Sequence, residues 1–205
     1  MVISEGGANS QAFVIGVVFD KIHIITTCDK DQRSDGTCPA IVAHADGTQV
    51  SADSPAQPGE TVVVYAWGAG NTSPRVKTGV AGPVPAPVVN LPGYSGLLVG
   101  FDFAPNAGPS RPYYPTAVSV PGYLAPGFVG LYQINVQLPA QFPPVPACDD
   151  GNVFSNLTIS VAGPYTFDGA AICVRVTGAT QPQQGGDLAW RSMRPIAKLI
   201  GRSGR

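Results

Sequence analysis

Charged residues are scarce in this chain. They make up 12 % of its 205 residues, about half the share that is usual for a soluble domain. The formal net charge is −1, from 12 basic and 13 acidic residues, and no stretch of the main body carries the basic stripe that phosphate contacts require. We therefore exclude nucleic acid as a partner.

Long apolar runs are also missing. The longest run, residues 12–19, is far shorter than the roughly 20 apolar residues of a transmembrane helix, so we expect no membrane span. Glu5 stands where a signal peptide would have a basic flank, and no small-residue cleavage site follows. We expect any secretion signal to lie upstream of this sequence.

Residue patterns typical of enzymes are sparse as well. Glycoside hydrolysis needs two carboxylates that face each other across a cleft, yet the only glutamates are Glu5 and Glu60, and most aspartates lie in turn-like contexts. Residues 93–96 have the wrong spacing for a nucleophile elbow, and no glycine-rich phosphate loop precedes a predicted helix. We therefore expect a protein that is not an enzyme.

Asp102 is the one aspartate that the pattern places within a strand, between Phe101 and Phe103. A carboxylate at such a position is costly unless it is paired. Arg111 is the partner that we expect, so the pattern favours a structural ion pair between Asp102 and Arg111 over a catalytic acid.

Glycine and proline are abundant, with 25 and 21 residues, and they punctuate short apolar runs. Residues 131–138 and 156–161 alternate strictly between apolar and polar, which is typical of strands buried on one face. We predict an all-β fold, an antiparallel immunoglobulin-like β-sandwich of about ten short strands. The residues predicted to be buried are Tyr132, Ile134, Val136, Leu138, Leu157, Ile159 and Val161, and those predicted to face water include Asn156, Thr158 and Ser160.

Further apolar runs bounded by turn residues predict the remaining strands. They span residues 12–19, 22–27, 41–44, 61–67, 97–103, 117–120 and 171–176. Asp46-Gly47 indicates a two-residue hairpin turn. The proline-rich stretches 79–92, 104–115 and 140–147 are predicted to be edge loops rather than central strands, because proline withholds a backbone donor.

The pattern divides the chain into a β body (1–177, with a possible sub-boundary near 52–59), a linker (178–186) and a basic tail (187–205). The tail carries a net charge of +4, against −5 for residues 1–186. Its apolar residues recur near helical spacing, so it predicts a short amphipathic helix interrupted by Pro195. Docking on the acidic body or on a second copy, binding to a membrane surface and an unstructured tail are all open. We expect its deletion to leave the β core folded.

Four cysteines allow three pairings. We favour Cys28–Cys38 and Cys148–Cys173, because each pair closes a modest loop with few apolar residues of its own; each closure contributes about 3 kcal/mol. A zinc site is the rival, but the chain has no Cys-x-x-Cys motif and its two histidines lack metal-ligand spacing. Disulfides predict an oxidising compartment, outside the cell or at its surface.

The sequence offers two candidate ligand sites. Asp29, Asp31 and Asp35 put three carboxylates in the loop between the first two cysteines, which is oxygen-ligand chemistry suited to calcium, although a solvated loop closed by a disulfide is favoured. No other cofactor is expected. Tyr113 and Tyr114 are candidates for stacking on sugars.

Three other aromatic residues could extend such a sugar-stacking platform. The aromatic residues are Tyr94, Tyr123 and Trp67. Aromatic residues of this number more often pack between sheets. The glycosylation sequons at Asn71 and Asn156 carry no functional weight in this prediction, because the pattern is frequent by chance.

Two sequence blocks carry a resemblance to a known family. Residues 57–70 contain Pro58-Gly59-Glu60 followed by a β-branched run, and residues 124–139 read Leu-Ala-Pro-Gly-Phe-Val-Gly-Leu-Tyr-Gln-Ile-Asn-Val-Gln-Leu-Pro. Together they resemble an uncharacterised C-terminal domain family of secreted, largely acidobacterial proteins, over residues 10–176. The resemblance implies a secreted, bacterial, non-catalytic, immunoglobulin-like module, and it implies no activity.

Three functions are compatible with these patterns. An extracellular structural or adhesive module, including a building block of a surface assembly with a protein partner or with its own copies, fits the low charge, the edge prolines and the cysteines best. A carbohydrate-binding module comes second. A hydrolase comes last.

Overall fold

The computed structural model describes residues 2–176, except residues 13, 15, 17, 30–37 and 150. The predicted linker and basic tail therefore lie outside the described residues. Within the described part the chain is almost entirely β, with one 3-10 turn at Thr27–Asp29. The all-β prediction is confirmed.

The strands are short, as the frequent glycines and prolines predict. In chain order they are β1 (Ser4–Glu5), β2 (Ala8–Asn9), β3 (His23–Ile24), β4 (Val42–Ala43), β5 (Thr61–Trp67), β6 (Thr72–Ser73), β7 (Val88–Val89), β8 (Leu97–Asp102), β9 (Val118–Val120), β10 (Gly122–Leu124), β11 (Leu131–Gln137), β12 (Leu157–Ala162) and β13 (Phe167–Ile172).

The strands form two antiparallel sheets that pack as a β-sandwich. The seven-stranded sheet has the order β3-β5-β11-β10-β7-β6, with β4 also paired to β5, and the four-stranded sheet has the order β13-β12-β8-β9. A separate hairpin pairs β1 with β2. The chain passes from β9 in one sheet to β10 in the other through a single residue, Pro121.

The centre of the seven-stranded sheet is the pair β5 and β11. They pair over their full lengths, from Leu131 opposite Trp67 to Gln137 opposite Thr61. Ile134 and Val136 are buried, as the alternation predicts, and Tyr132 is half-buried with its hydroxyl donating to the Gly70 carbonyl.

A single apolar core fills the space between the two sheets. The core includes Val62 and Val64 from β5, and Leu157 and Ile159 from β12, all of them fully buried. The predicted inward-facing residues of β12 therefore lie where they were expected.

The prediction that the other face of β12 meets water is wrong. Asn156, Thr158 and Ser160 are at most 2 % exposed. The proline strap, which we define as residues 104–115, lies over this outer face, and Thr158 donates from its hydroxyl to the Ala107 carbonyl at 2.8 Å.

Two glycines let the proline strap approach this closely. A Cβ on Gly169 would stand 2.3 Å from Pro109 Cβ, and a Cβ on Gly100 would stand 3.1 Å from Pro112 Cα. β12 is thus covered on both faces, which a period-two pattern alone does not indicate.

Several other predicted elements differ in detail. In the predicted strand 12–19, the described residues form no strand, and Val14 is 99 % exposed. The stretch 79–92 contains β7, which pairs on both sides and is not an edge. The hairpin at Asp46-Gly47 is confirmed as a turn, but its loop has three residues, because His44 N donates to Thr48 O and Gly47 takes a positive φ of 87°.

Candidate functional site

Both predicted disulfides are present. Cys28 joins Cys38 with 5.2 Å between their Cα atoms, and Cys148 joins Cys173 with 5.8 Å. The first closes the loop that follows β3, and the second ties a loop to the residue after β13. Each disulfide therefore fixes an irregular segment to the edge of a sheet.

Asn156, the residue before β12, reinforces the second disulfide. Its Nδ2 donates to the carbonyls of Pro146 and Val174, both at 3.0 Å, and its Oδ1 accepts from Val174 N at 2.8 Å. The side chain is fully buried. It holds together the start of β12, the loop before Cys148 and the chain after Cys173.

Side chains join the two sheets along the edge formed by β3 and β13, which we call the seam. Asp168 on β13 accepts from Ile24 N at 3.0 Å, and Thr166 accepts from Ile22 N at 2.9 Å. Buried Asp20 accepts from the backbone N of Thr166 at 2.9 Å and from its hydroxyl at 2.5 Å. These bonds between side chains and backbone join the β3 edge to the β13 edge, although the two strands belong to different sheets.

His23 stands between two carboxylates at the seam. Its Nδ1 lies 3.0 Å from Asp168 Oδ2 and its Nε2 lies 2.7 Å from Asp29 Oδ1. The hydrogen bond to Asp29 is the main cause that raises the pKa of His23, although burial opposes it. Through its two ring nitrogens, His23 links β3, the 3-10 turn and β13.

His44 forms a second cluster, with Glu60 and Ser54. Its Nδ1 lies 2.5 Å from Glu60 Oε1, and its Nε2 lies 3.2 Å from Ser54 Oγ. This order of serine, histidine and carboxylate has the outline of a nucleophile and its base. It could not be predicted from the sequence, because the three residues are not spaced as a known motif.

A further contact argues against that chemistry. His44 Nε2 also lies 3.0 Å from the Ser54 carbonyl oxygen, which can only accept. Burial lowers the pKa of His44, but its bonds to Glu60 and Ser54 outweigh this and raise the pKa overall. Because a carbonyl oxygen only accepts, this contact requires Nε2 to be the donor, and a nitrogen that donates cannot take a proton from the serine hydroxyl. The cluster therefore acts as a structural link between β4 and β5.

Of the three aspartates in the predicted calcium site, the structure describes only Asp29. Asp29 Oδ2 accepts from Thr26 N at 2.6 Å and from the Thr26 hydroxyl at 3.0 Å, and Oδ1 faces His23. Burial acts to raise the pKa of Asp29, and these bonds lower it on balance. Asp31 and Asp35 lie outside the described residues. The described residues hold no group of three acidic, histidine or cysteine side chains that fits a metal ion.

The predicted ion pair between Asp102 and Arg111 does not form. Asp102 lies on the outer face of β8 and accepts from Ala104 N at 3.1 Å, while the Arg111 guanidinium lies 5.9 Å from the centre of the Phe167 ring. The proline strap carries Arg111 past Asp102 and towards β13, so each group finds a different partner.

Aromatic and amide side chains share the outer face of the seven-stranded sheet. Tyr123, Gln133 and Tyr65 lie side by side on three neighbouring strands. Trp67, two residues beyond Tyr65, is 43 % exposed and packs 5.9 Å from the His23 ring. Gln133 donates to Asn135 Oδ1 at 3.0 Å. We call this set the aromatic face.

The predicted sugar-stacking pair is elsewhere. Tyr113 and Tyr114 are 74 % and 55 % exposed, but they lie in the proline strap beside the four-stranded sheet. Trp67 and Tyr123 do share one face of the seven-stranded sheet, with Tyr65, which the prediction missed. The alternation of β5, which sends every second residue outward, was the available signal for Tyr65.

Comparisons with models of known protein families, with curated proteins and with solved structures find no match to this chain. The resemblance to a family of secreted C-terminal domains therefore stays a prediction. Within the described part of the chain, no helix is long and apolar enough to cross a bilayer.

Proposed function

We propose that the protein is a non-catalytic structural or adhesive β module that works outside the cell or at its surface. The observation that carries this proposal is that two disulfides clamp the loops at the sandwich edge. Such bonds persist in oxidising compartments. Polar side chains at the seam supply further links between the sheets.

Unfolding with and without a reductant tests the proposal. The disulfides close segments of 10 and 25 residues, so the chain-entropy model gives about 3 kcal/mol for each. Their sum is a large part of the roughly 5–15 kcal/mol that stabilises a typical domain. We expect reduction to lower the free energy of unfolding by about 6 kcal/mol. An unchanged value would remove the need for an oxidising compartment and with it the main support for this function.

Carbohydrate binding is a second candidate, favoured by the aromatic face. A pyranose ring presents an apolar C–H surface that packs on an aromatic side chain, and amides match its hydroxyls because they both donate and accept. Neighbouring strands lie about 4.8 Å apart, so Tyr123 and Tyr65 flank Gln133 at a separation of about 10 Å. Tyr65, Gln133 and Tyr123 are uncharged side chains, which suits a neutral glycan; the His23 ring packs beside Trp67 at one end of the face.

Affinity electrophoresis in gels that contain neutral polysaccharides tests this second function. Xyloglucan, soluble starch and laminarin serve as probes, with polygalacturonate as the anionic control. We expect retardation by at least one neutral probe, and about tenfold weaker binding for Trp67→Ala or Tyr65→Ala. Tyr113→Ala is the matched control and keeps full retardation. Loss of binding in the control instead, or no retardation by any neutral probe, would refute this assignment.

A further inference from the structure

A groove opens between the sheets on the side opposite the seam. Its volume is about 510 Å³, and its apolar walls include Val99 and Phe101 from β8, Val118 and Val120 from β9, and Leu138. Val118 is 54 % exposed. Apolar side chains from both sheets thus meet solvent where the sandwich is not closed.

The floor of this groove is an open sheet edge. β10 pairs with β11 only at residues 132–134, because the chain leaves β10 through Pro121 towards the other sheet. Leu138 N donates to Glu60 O, so alternate residues of β11 bond to β5, and Leu131 O accepts from Ala125 N on the other side. The Asn135 N–H lies opposite the Pro121 carbonyl, because Ile134 pairs with Gly122. The Asn135 carbonyl and both backbone groups of Gln137 therefore point into the groove, where no described strand pairs with them.

An apolar segment of the same chain needs a partner. Residues 12–19 are its longest apolar run. The described residues of this run belong to no strand and are exposed, with Val14 at 99 % and Val18 at 49 %. Exposed apolar residues that lie close together are typical of an interaction site.

The segment and the groove lie on opposite sides of the sandwich. The segment leads into Asp20 at the seam beside β3 and β13, whereas the groove lies beside β9 and β11. Three strand spacings, about 14 Å, separate the two edges. Crossing that width would use about four residues of the segment before pairing could begin, which favours the groove of another copy.

We propose that residues 12–18 of one copy add as a strand to β11 of the next copy and fill its groove. Alternate residues of an added strand point to opposite faces of the sheet. One face of this strand would carry Phe13, Ile15 and Val17, and the opposite face would carry Val14, Gly16 and Val18. Backbone bonds to Asn135 and Gln137 would supply the affinity, and the bulky set would contact Val118 and Val120.

This contact is heterologous, because each copy offers a donor on one side and an acceptor on the other. Such contacts propagate into open chains of subunits. The proposal deepens the structural role given above and rests on it. The reduction experiment measures the disulfides separately, so failure of this contact and failure of the structural role are distinguishable.

Sedimentation of the full chain over a wide range of concentration, with electron microscopy of the same samples, tests the proposal. The donor variant is Ile15→Asp with Val17→Asp, and the acceptor variant is Gln137→Pro, which removes the N–H that faces the groove. Val118→Glu is a second acceptor variant. Val84→Asp, at an 84 % exposed site away from the groove, is the control.

We expect the parent and the control to form linear oligomers, and each donor or acceptor variant to self-associate at least about tenfold more weakly. A mixture of the donor variant and an acceptor variant should form 1:1 dimers that grow no further. Any of three results would overturn the proposal. The parent could stay monomeric, the oligomers could survive all the substitutions, or residues 12–18 could be protected from hydrogen exchange in the monomer. Thermal unfolding of every variant confirms that it is folded.

Discussion

Replacement of Asn156 by Ala should be among the most damaging single changes in the body of the protein. The side chain is fully buried and makes three hydrogen bonds, to the carbonyls of Pro146 and Val174 and from Val174 N. Alanine leaves two carbonyls and one N–H without that partner, in a place that water does not reach.

The cost follows from the unpaired groups. Each buried group left unsatisfied costs about 1–3 kcal/mol, with carbonyls at the lower end because they have a second lone pair. We expect Asn156→Ala to lower the free energy of unfolding by about 3–5 kcal/mol. With a urea slope near 2 kcal/mol per molar, the midpoint of unfolding should fall by about 2 M.

Urea unfolding of the oxidised protein measures this effect. Asn71→Ala is the matched control, because Asn71 is exposed and its side chain makes no described hydrogen bond; we expect a change within about 0.5 kcal/mol. A loss below about 1 kcal/mol for Asn156→Ala, or equal losses in both variants, would refute the role given to the Asn156 side chain.

Three other predictions follow from the fold. In urea unfolding, Ile134→Ala should lower the free energy of unfolding by about 2–5 kcal/mol, and Gln133→Ala should lower it by no more than about 0.5 kcal/mol. Equal losses would mean that the β11 register is wrong. Gly169→Ala should cost about 1–3 kcal/mol because its Cβ meets Pro109, whereas Gly108→Ala, which has open space around its Cβ, should cost less by calorimetry. Because the pKa of His23 is raised in the folded protein, its stabilising contribution is complete below the unfolded pKa of about 6.5 and is lost as the pH rises through the folded pKa. The difference in melting temperature between the parent and His23→Gln should therefore shrink from about pH 6 to about pH 9. A difference that widens over this range would contradict the His23 cluster.

The strands with a strong period-two pattern could be predicted from the sequence. β5 occupies the predicted residues 61–67, and β11 begins at the predicted Leu131. Their alternation is visible because one face packs in the core and the other meets solvent. β3 and β4 are shorter than predicted, since local composition does not determine where a neighbouring strand ends.

The burial of Thr158 and Ser160 could not be predicted in this way. Their strand alternates like a half-exposed one, and the cover comes from the proline strap, more than forty residues earlier in the chain. Long-range packing of a loop leaves no periodic signal in the strand that it covers. The lack of side chains at Gly100 and Gly169, on the same face, was the available hint.

The candidate sites also divide into those that local sequence predicts and those that depend on long-range packing. The disulfides followed from loop lengths, which are local in sequence. The ion pair between Asp102 and Arg111 failed because closeness in sequence does not fix the path of a proline-rich connection. The clusters around His23 and His44 draw on distant residues such as Asp168, 145 positions from His23, and only the topology brings these together.

Mapping of the cysteines in protein taken from its native cells tests the central claim most directly. Free thiols are alkylated at once, and the peptides are then analysed without reduction by mass spectrometry. If the protein is a structural module of an oxidising compartment, we expect the linked peptides Cys28–Cys38 and Cys148–Cys173 and no alkylated cysteine. Four alkylated thiols, or a peptide that links Cys28 to Cys148, would contradict it.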